Sequence, residues 1–193
     1  MRIVAEFDFN GGRKSVYTKY SDELFEIKKV IESVDAEFCR TKESHEKTMS
    51  GKILYSPRKL NACFKDEFHK YGWNNYSVQC DYIYGTYLDG YIPSNQRQSS
   101  KPFRDMDFLK KGKMLGIEVQ FGKYAFMVYN VCAKMTIFYN LGKIDTGIEI
   151  VPVKHFADEM STGVSYFEQF AWDLTKRGVS NIDIPVYIIG IDA

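Results

Sequence analysis

The C-terminal half of the chain alternates between short apolar runs typical of strands and longer runs typical of helices. Residues 114–121, 144–153 and 185–191 predict three strands, and the last of them is apolar enough to be buried on both faces. Residues 123–139 are apolar nearly all round, which predicts a buried helix. Further helices are predicted over about 154–160 and 165–177. Strands that alternate with helices in this way form an α/β core, in which helices flank a central sheet.

The N-terminal half is predicted to add one strand and two helices. The opening run "RIVAEFDF" alternates as a strand and ends in a Gly-Gly turn. Residues 21–38 show apolar side chains at helical spacing, with Ser21 as the N-cap, and residues 58–71 predict a second helix. Residues 72–101 are rich in Tyr, Asn, Ser and Gln, which is typical of strand pieces and loops. No repeat or linker divides the chain, so we expect residues 1–193 to form a single domain.

Composition narrows the class of protein. The chain is 45% hydrophobic but contains no apolar run of the roughly 18 to 20 residues that a membrane span needs. Its first residues lack the apolar core of a secretory signal. Its four cysteines are widely spread without a close pair, which favours reduced thiols over a disulfide framework. We therefore expect a cytoplasmic protein that does not bind membranes.

The positive charge is concentrated in two segments, although the formal net charge is only +1. Residues 40–59 contain six basic residues against two acidic ones, and residues 97–113 show the same balance. Two such segments can together form an anion-binding face. Charge alone also allows the alternative that both segments are solvated surface.

The segment "GIEVQFGKY", residues 116–124, places a carboxylate and an amide on one side of a strand. Glu118 and Gln120 flank a single valine, so their side chains share one face of an otherwise apolar strand. Asp107 ends the preceding run, and a turn formed by "KKGK" leads into this strand. A hairpin of that length brings Asp107 and Glu118 to neighbouring positions, where their oxygens can share one divalent cation. Two carboxylates beside lysines suit a magnesium ion that contacts a phosphate and supplies an activated water.

Several segments in register resemble one family of nucleases. They are "DAEFCRTKES", "EKT", "GKILYSPRKLN", "GIEVQFGKYAF" and "GVSYFE". Together they resemble the BglII/BstYI group of type II restriction endonucleases, within the PD-(D/E)xK superfamily, and most of all its BstYI members. The resemblance runs from about residue 20 to the C-terminus and is weakest over residues 72–104. It implies a restriction-endonuclease-like core, with a mixed central β-sheet flanked by α-helices.

The resemblance also implies the roles of the acidic residues. It makes Asp107 and Glu118 the ligands of a catalytic Mg2+ and Gln120 the residue that positions the attacking water. The interval between the two carboxylates departs from the usual spacing of the family, so Asp105 is kept as the alternative first carboxylate. Glu37 is a candidate for an additional acid, or else a solvated helix carboxylate. Gln120 stands where the superfamily has a lysine, so we expect a site without a fixed cation, in which the metal does most of the work.

On the recognition side, the resemblance implies base contacts from Lys123, Ser161 and Thr162, residue types that can reach base edges in the major groove. The alternative is that one of the hydroxyls caps a helix, and for Ser165 we favour that reading. The group acts as homodimers on palindromes, here predicted as purine-GATC-pyrimidine cut to leave 5′ overhangs, with a cognate DNA methyltransferase in the host. Two alternatives stay open: an inactive sequence-specific DNA-binding relative of these enzymes, and a nicking repair nuclease.

Overall fold

The computed structural model describes residues 1–80, 102–123, 129–178 and 182–193. The strands are β1 (Arg2–Phe9), β2 (Arg40–Glu43), β3 (Ile53–Tyr55), β4 (Trp73–Gln79), β5 (Phe103–Lys110), β6 (Leu115–Val119), β7 (Thr146–Pro152) and β8 (Val186–Asp192). The α-helices are α1 (Gly12–Lys19), α2 (Ser21–Ser33), α3 (Pro57–Lys70), α4 (Thr136–Asn140), α5 (Lys154–Asp158) and α6 (Phe167–Arg177). A π-helical turn, Asn130–Met135, directly precedes α4.

Six strands form one mixed sheet in the order β1-β8-β7-β6-β5-β4. The central strands β6, β7 and β8 are parallel neighbours, whereas β1, β5 and β4 each join the sheet antiparallel. Strands β2 and β3 form a separate hairpin. Both β6 and β7 are buried along their whole length, as expected of strands covered on both faces.

Two hydrophobic cores cover the two faces of the sheet. Ile117 and Val119 of β6 belong to the core formed with α2, α3 and α5. The opposite face packs against the π-helical turn, α4 and α6. Gly116 faces this second side, since a Cβ added there would come within 3.1 Å of the Met106 side chain. Successive side chains of a strand alternate between faces, so Glu118 points to the second side as well. The predicted mixed sheet flanked by helices is confirmed.

The predicted buried helix over residues 123–139 is only partly confirmed. Residues 124–128 lie outside the described part of the chain, and from Asn130 the backbone follows a π-helical turn before α4. Single π turns of this kind occur mostly inside α-helices and often at functional sites. The turn carries the polar residues Asn130 and Lys134, which bond to acids of β7 and β6 on this side of the sheet.

Two predicted helix caps are wrong. Ser21 is the first residue of α2, but the cap position is Tyr20 and no side chain caps this end. Ser165 lies before the N-cap residue of α6, Tyr166, and its hydroxyl donates a 3.0 Å hydrogen bond to the carbonyl of Gly122. Ser165 therefore ties the loop that precedes α6 to the end of β6 instead of starting a helix.

The sequence pattern missed α1 and the β2–β3 hairpin, which lies in the basic segment 40–59. Of residues 72–101, read as strand pieces and loops, Trp73–Gln79 forms β4 and residues 81–101 lie outside the described part. No helix among the described residues is long and apolar enough to cross a membrane. All four cysteines are free thiols, as expected.

Candidate functional site

The backbone at Asp107 departs from a regular ladder. The register of β4 against β5 shifts between Asn74 and Tyr76, so the single residue Asn75 stands opposite both Asp107 and Phe108. A β-bulge of this kind twists the strand locally and re-aims a side chain. It places the Asp107 carboxylate where it can reach the neighbouring strand β6.

Asp107 and Glu118 hold each other through reciprocal hydrogen bonds across the β5–β6 hairpin. The backbone N–H of Asp107 donates to Oε1 of Glu118 at 3.2 Å, and the N–H of Val119 donates to Oδ2 of Asp107 at 3.0 Å. The Glu118 side chain is buried, whereas Asp107 is half-buried. The structure therefore brings together the two carboxylates that the hairpin spacing predicted to be neighbours.

Lys134, in the π-helical turn, adds a cation that sequence reasoning missed. Its Nζ lies 2.5 Å from Oε2 of Glu118, and its side chain is only 14% exposed. The sequence predicted no fixed cation beside the attacking water, because Gln120 stands in the lysine position, but it did not foresee this buried cation on Glu118. The available signal was Lys134 in the middle of the mostly apolar run of residues 123–139, because a charge seldom stands in such a run without a buried partner.

A further acid, Glu149, lies beside Glu118 and was also missed. The two residues are register partners on the parallel strands β6 and β7. Glu149 is fully buried, and its Oε1 accepts a 3.1 Å hydrogen bond from the side-chain amide of Asn130. Its Oε2 has no hydrogen-bond partner among the described residues. Burial raises the pKa of Glu149 to about 8.

Gln120 follows β6 directly and lines the same cleft. Its backbone N–H donates to the carbonyl of Ile150 at 2.9 Å, which anchors the residue to β7. A Cβ added at Gly122 would come within 2.9 Å of the Gln120 Nε2, so glycine leaves the space that this side chain occupies. The cleft has a volume of about 560 Å3 and is open to solvent. Its described lining comprises Asn61, Lys65, His69, Asn75, Asp107, Phe108, Glu118, Val119, Gln120, Gly122, Tyr129, Asn130 and Lys134.

The electrostatics of the cleft favour an added cation. Burial, and next the nearby Asp107 carboxylate, raise the pKa of Glu118 well above its ordinary value. Burial opposes the ionisation of Lys134, but the Glu118 carboxylate outweighs it, and the pKa of Lys134 is raised. Burial and mutual repulsion thus oppose the joint ionisation of the acids grouped around the single ammonium of Lys134. A divalent cation that took oxygen ligands here would favour the ionised carboxylates.

The donor set fits a hard divalent ion with few protein ligands. Asp107 and Glu118 are adjacent carboxylates, and Mg2+ is commonly bound through one or two carboxylates while it keeps several waters. Across the described ranges, no three His, Cys, Asp or Glu side chains are arranged to hold an ion by themselves. The site therefore suits an ion that shares its coordination with water and a substrate phosphate, not a closed structural metal site.

The other two candidate acids lie elsewhere. Asp105 accepts a short hydrogen bond from the Ser77 hydroxyl on β4 and is not among the described residues that line the cleft. Glu37 accepts a hydrogen bond from the hydroxyl of Tyr55 and lies 3.6 Å from the guanidinium of Arg40. It too is outside the described lining of the cleft.

Two of the three lysines of the "KKGK" turn pair with helix α2. Lys110 pairs with Glu26 at 2.6 Å, and Lys113 pairs with Glu23 at 2.5 Å. Both partners belong to α2, so these lysines tie the hairpin to the helical layer. The sequence predicted Lys110, Lys111 and Lys113 near the paired carboxylates, but Lys110 and Lys113 pair with acids of α2 instead.

The predicted base-contacting residues lie near one another in two loops. Lys123 forms an isolated β-bridge with Val164, which joins the end of β6 to the loop before α6. Within that loop, the Ser161 hydroxyl accepts a short hydrogen bond from the ammonium of Lys42. Thr162 donates to the carboxylate of Glu46 through both its hydroxyl and its N–H, the latter at 3.1 Å. Residues 161–162 are therefore clamped to the β2–β3 hairpin.

A mixed sheet between two helical layers, with paired carboxylates on a hairpin beside an open polar cleft, is the arrangement of a restriction-type endonuclease. The profile of one family, described as restriction endonuclease BglII/BglIII, matches residues 4–191. The chain therefore belongs to the BglII/BglIII family of restriction endonucleases, and it is a type II site-specific deoxyribonuclease.

Solved structures agree with this family at the level of the fold. The crystal structure of restriction endonuclease BglII complexed with a DNA 16-mer matches with a TM-score of 0.71 and 22% identity, covering 98% of this chain and 76% of BglII. The structure of free BglII matches with a TM-score of 0.63 and 20% identity, covering 100% and 80%. No curated protein matches the sequence. The predicted restriction-endonuclease-like fold is confirmed, whereas the likeness to BstYI members and the superfamily placement stay predictions.

Proposed function

We propose that the cleft at the β5–β6 hairpin hydrolyses phosphodiester bonds of double-stranded DNA and that this reaction requires Mg2+. The observation that carries the proposal is the interlocked pair Asp107 and Glu118, one half-buried and one buried, with Gln120 lining the same cleft. Rigid strands hold both carboxylates, and such preorganisation is what an electrostatic catalyst needs.

In this proposal Asp107 and Glu118 hold the ion. Bound Mg2+ would polarise the scissile phosphate and lower the pKa of a coordinated water. Gln120 carries no charge, but its amide can both accept and donate a hydrogen bond, so it is suited to orient the attacking water. The space left at Gly122 lets this side chain stay in the cleft.

DNA is the proposed partner, in line with the 16-mer seen with BglII. Lys123, Ser161 and Thr162 are proposed to contact base edges, because a lysine and short hydroxyls can pair with acceptors in the major groove. Asp105 and Glu37, given their present contacts, have no part in the proposed chemistry.

We further propose that the protein is a homodimer, because a homodimer matches the two-fold symmetry of a palindrome. We also propose that it acts in the cytoplasm of a host that has a cognate DNA methyltransferase.

The proposed target is purine-GATC-pyrimidine, cut before the inner guanine to leave four-base 5′ overhangs. A flexible lysine at the outer position tolerates either purine, because adenine and guanine both present an N7 acceptor in the major groove. Digestion of phage DNA with Mg2+, followed by sequencing of the ends, tests this site. Ends that lack GATC would refute the specificity and leave the nuclease assignment standing.

Two other functions are outcomes of a simpler test. Plasmid DNA incubated with the protein and Mg2+ should give discrete linear fragments, and EDTA should abolish them. Nicked circles alone would indicate a nicking nuclease. Intact plasmid together with specific binding would indicate an inactive DNA-binding relative. The retained pair of carboxylates argues against the inactive relative, because a protein that only binds phosphate gains nothing from two carboxylates facing it.

A further inference from the structure

Lys134 reaches the carboxylate cluster from an element that is remote from it in the sequence. It lies in the π-helical turn Asn130–Met135, which covers the second face of the sheet. Its Nζ lies 2.5 Å from Oε2 of Glu118. The side chain is mostly buried but still lines the cleft, so the ammonium stands at the boundary between the protein and the space that a substrate would fill.

Both oxygens of Glu118 are held in this arrangement. Oε1 accepts from the backbone N–H of Asp107, and Oε2 accepts from Lys134. The carboxylate therefore has one orientation before any ion or DNA arrives. Both donors meet a carboxylate oxygen, but the ammonium of Lys134 carries a full charge and lies closer, at 2.5 Å against 3.2 Å, so it is the stronger of the two restraints.

The other basic residues of the described lining do not hold the cluster. Lys65 and His69 are on α3, and both side chains are exposed. Gln120, at the end of β6, is neutral at every pH. Within the described lining of the cleft, Lys134 is thus the one basic residue with a direct contact to the carboxylates.

We propose that Lys134 is a positioning residue for catalysis, whose ammonium holds the Glu118 carboxylate in one orientation, and so supplies from the helical layer a cation that the Gln120 position lacks. This inference rests on the proposed function of the cleft. Lys134 is placed on the helical layer for a geometric reason. From there its ammonium can bond to Glu118 while Gln120 keeps the position after β6 from which it is proposed to orient the attacking water.

A purely structural role makes a different prediction. If Lys134 only filled space and satisfied a buried acid, methionine, which is unbranched and of similar length, would pack in its place. Replacing a buried ion pair by apolar residues is often neutral for stability, but leaving one charge unpaired is costly. The rate of cleavage and the state of the ammonium therefore distinguish the two roles, whereas stability alone does not.

The first measurement is the single-turnover rate of DNA cleavage at saturating Mg2+. Lys134→Met should lower it on the order of 10²-fold, and Lys134→Arg, which keeps the charge, should recover part of the loss. Lys143→Met, which removes an exposed lysine just beyond α4, is the matched control and should leave the rate unchanged. If Lys134→Met does not fold, as judged by thermal unfolding, Lys134→Gln replaces it.

The second measurement needs no cleavage. Nitrogen-15 labelling of lysine in the wild-type protein should show a slowly exchanging ammonium signal that Lys134→Arg removes, which assigns it. Glu118→Gln should shift this signal or abolish its protection, and adding Mg2+ should shift it as well, because both change the charge that faces the ammonium. A signal that neither change affects would overturn the inference.

The outcomes separate this inference from the function on which it rests. An inactive wild-type protein would refute both the proposed function and the inference. An active wild-type protein with a Lys134→Met rate within about threefold of it would refute the inference alone. Equal losses of the cleavage rate in Lys134→Met and Lys143→Met would show that each lysine only contributes to the general attraction of DNA. That result would also overturn the inference.

Discussion

Glu118 and Glu149 are register partners on parallel strands, so the sheet itself places two buried carboxylates side by side. Burial, the largest cause, raises the pKa of both acids, and the nearby Asp107 carboxylate raises both further. The pKa of Glu118 lies well above its ordinary value, and that of Glu149 is raised to about 8. Two buried carboxylates lower the stability of the folded protein when no cation is bound. Acids with strongly shifted pKa values of this kind are typical of functional sites.

The first prediction concerns the pH dependence of stability without metal. The pKa of Glu149 is about 8 in the folded protein against 4.5 as the ordinary value. The folded state therefore binds more protons than the unfolded state between these values, and the contribution of Glu149 to stability falls as the pH rises through about 8. Glu149→Gln removes this titration and keeps an acceptor for Asn130. Its unfolding free energy relative to wild type should rise as the pH increases.

Urea unfolding in EDTA at about pH 5 and about pH 8 measures this difference. Glu43→Gln, at an exposed position of β2, is the control and should change nothing with pH. A gap between wild type and Glu149→Gln that stays constant over this range would show that Glu149 is not the titrating group.

The second prediction concerns the paired carboxylates. Asp107→Ala or Glu118→Ala should abolish cleavage, because either change removes a proposed ligand of the ion. Specific binding should stay intact or become tighter, since the change also relieves repulsion of the scissile phosphate. Gel-shift titration beside a cleavage assay measures both quantities. Asp105→Ala is the matched control on the same strand and should stay active. An inactive Asp105→Ala beside an active Asp107→Ala would show that Asp105, not Asp107, is the first carboxylate.

The third prediction concerns Gln120. Gln120→Ala should lower the single-turnover rate by 10²-fold or more, on the order expected when a nucleophile is no longer oriented. Gln120→Asn should not rescue the rate, because its amide is one methylene short. Gly122→Ala should also slow cleavage, since the new Cβ would come within 2.9 Å of the Gln120 amide nitrogen. Rates of Gln120→Ala within about threefold of wild type would show that Gln120 is a bystander.

The fourth prediction concerns the contact between the loop of residues 161–162, proposed for recognition, and the β2–β3 hairpin. Thr162 donates to the carboxylate of Glu46 through its hydroxyl and its N–H, and this contact lowers the pKa of Glu46. Glu46→Ala should free the loop and reduce discrimination between the predicted site and sites with one altered base pair by roughly tenfold. Competition cleavage measures the ratio. Glu43→Ala, on the same hairpin, should leave it unchanged.

The sequence by itself determined the fold class and the pair Asp107 and Glu118. Both follow from short-range periodicity: strands and helices alternate in the C-terminal half, and a turn of fixed length sets which residues of a hairpin are neighbours. The family also followed from the sequence, because its segments lie in order along the chain. Gln120, two positions after Glu118 and just beyond the end of β6, lines the same cleft.

Only the tertiary structure decided which further charges join this pair. Lys134 and Glu149 come from a helical layer and a parallel strand, 16 and 31 positions beyond Glu118, and no local pattern encodes those contacts. The same holds for the turn lysines, which pair with α2, and for Thr162, which meets Glu46. Periodicity fixes the face on which a side chain lies, but its partner depends on how layers pack. The charge balance of the cleft is therefore a property of the fold and not of the motif.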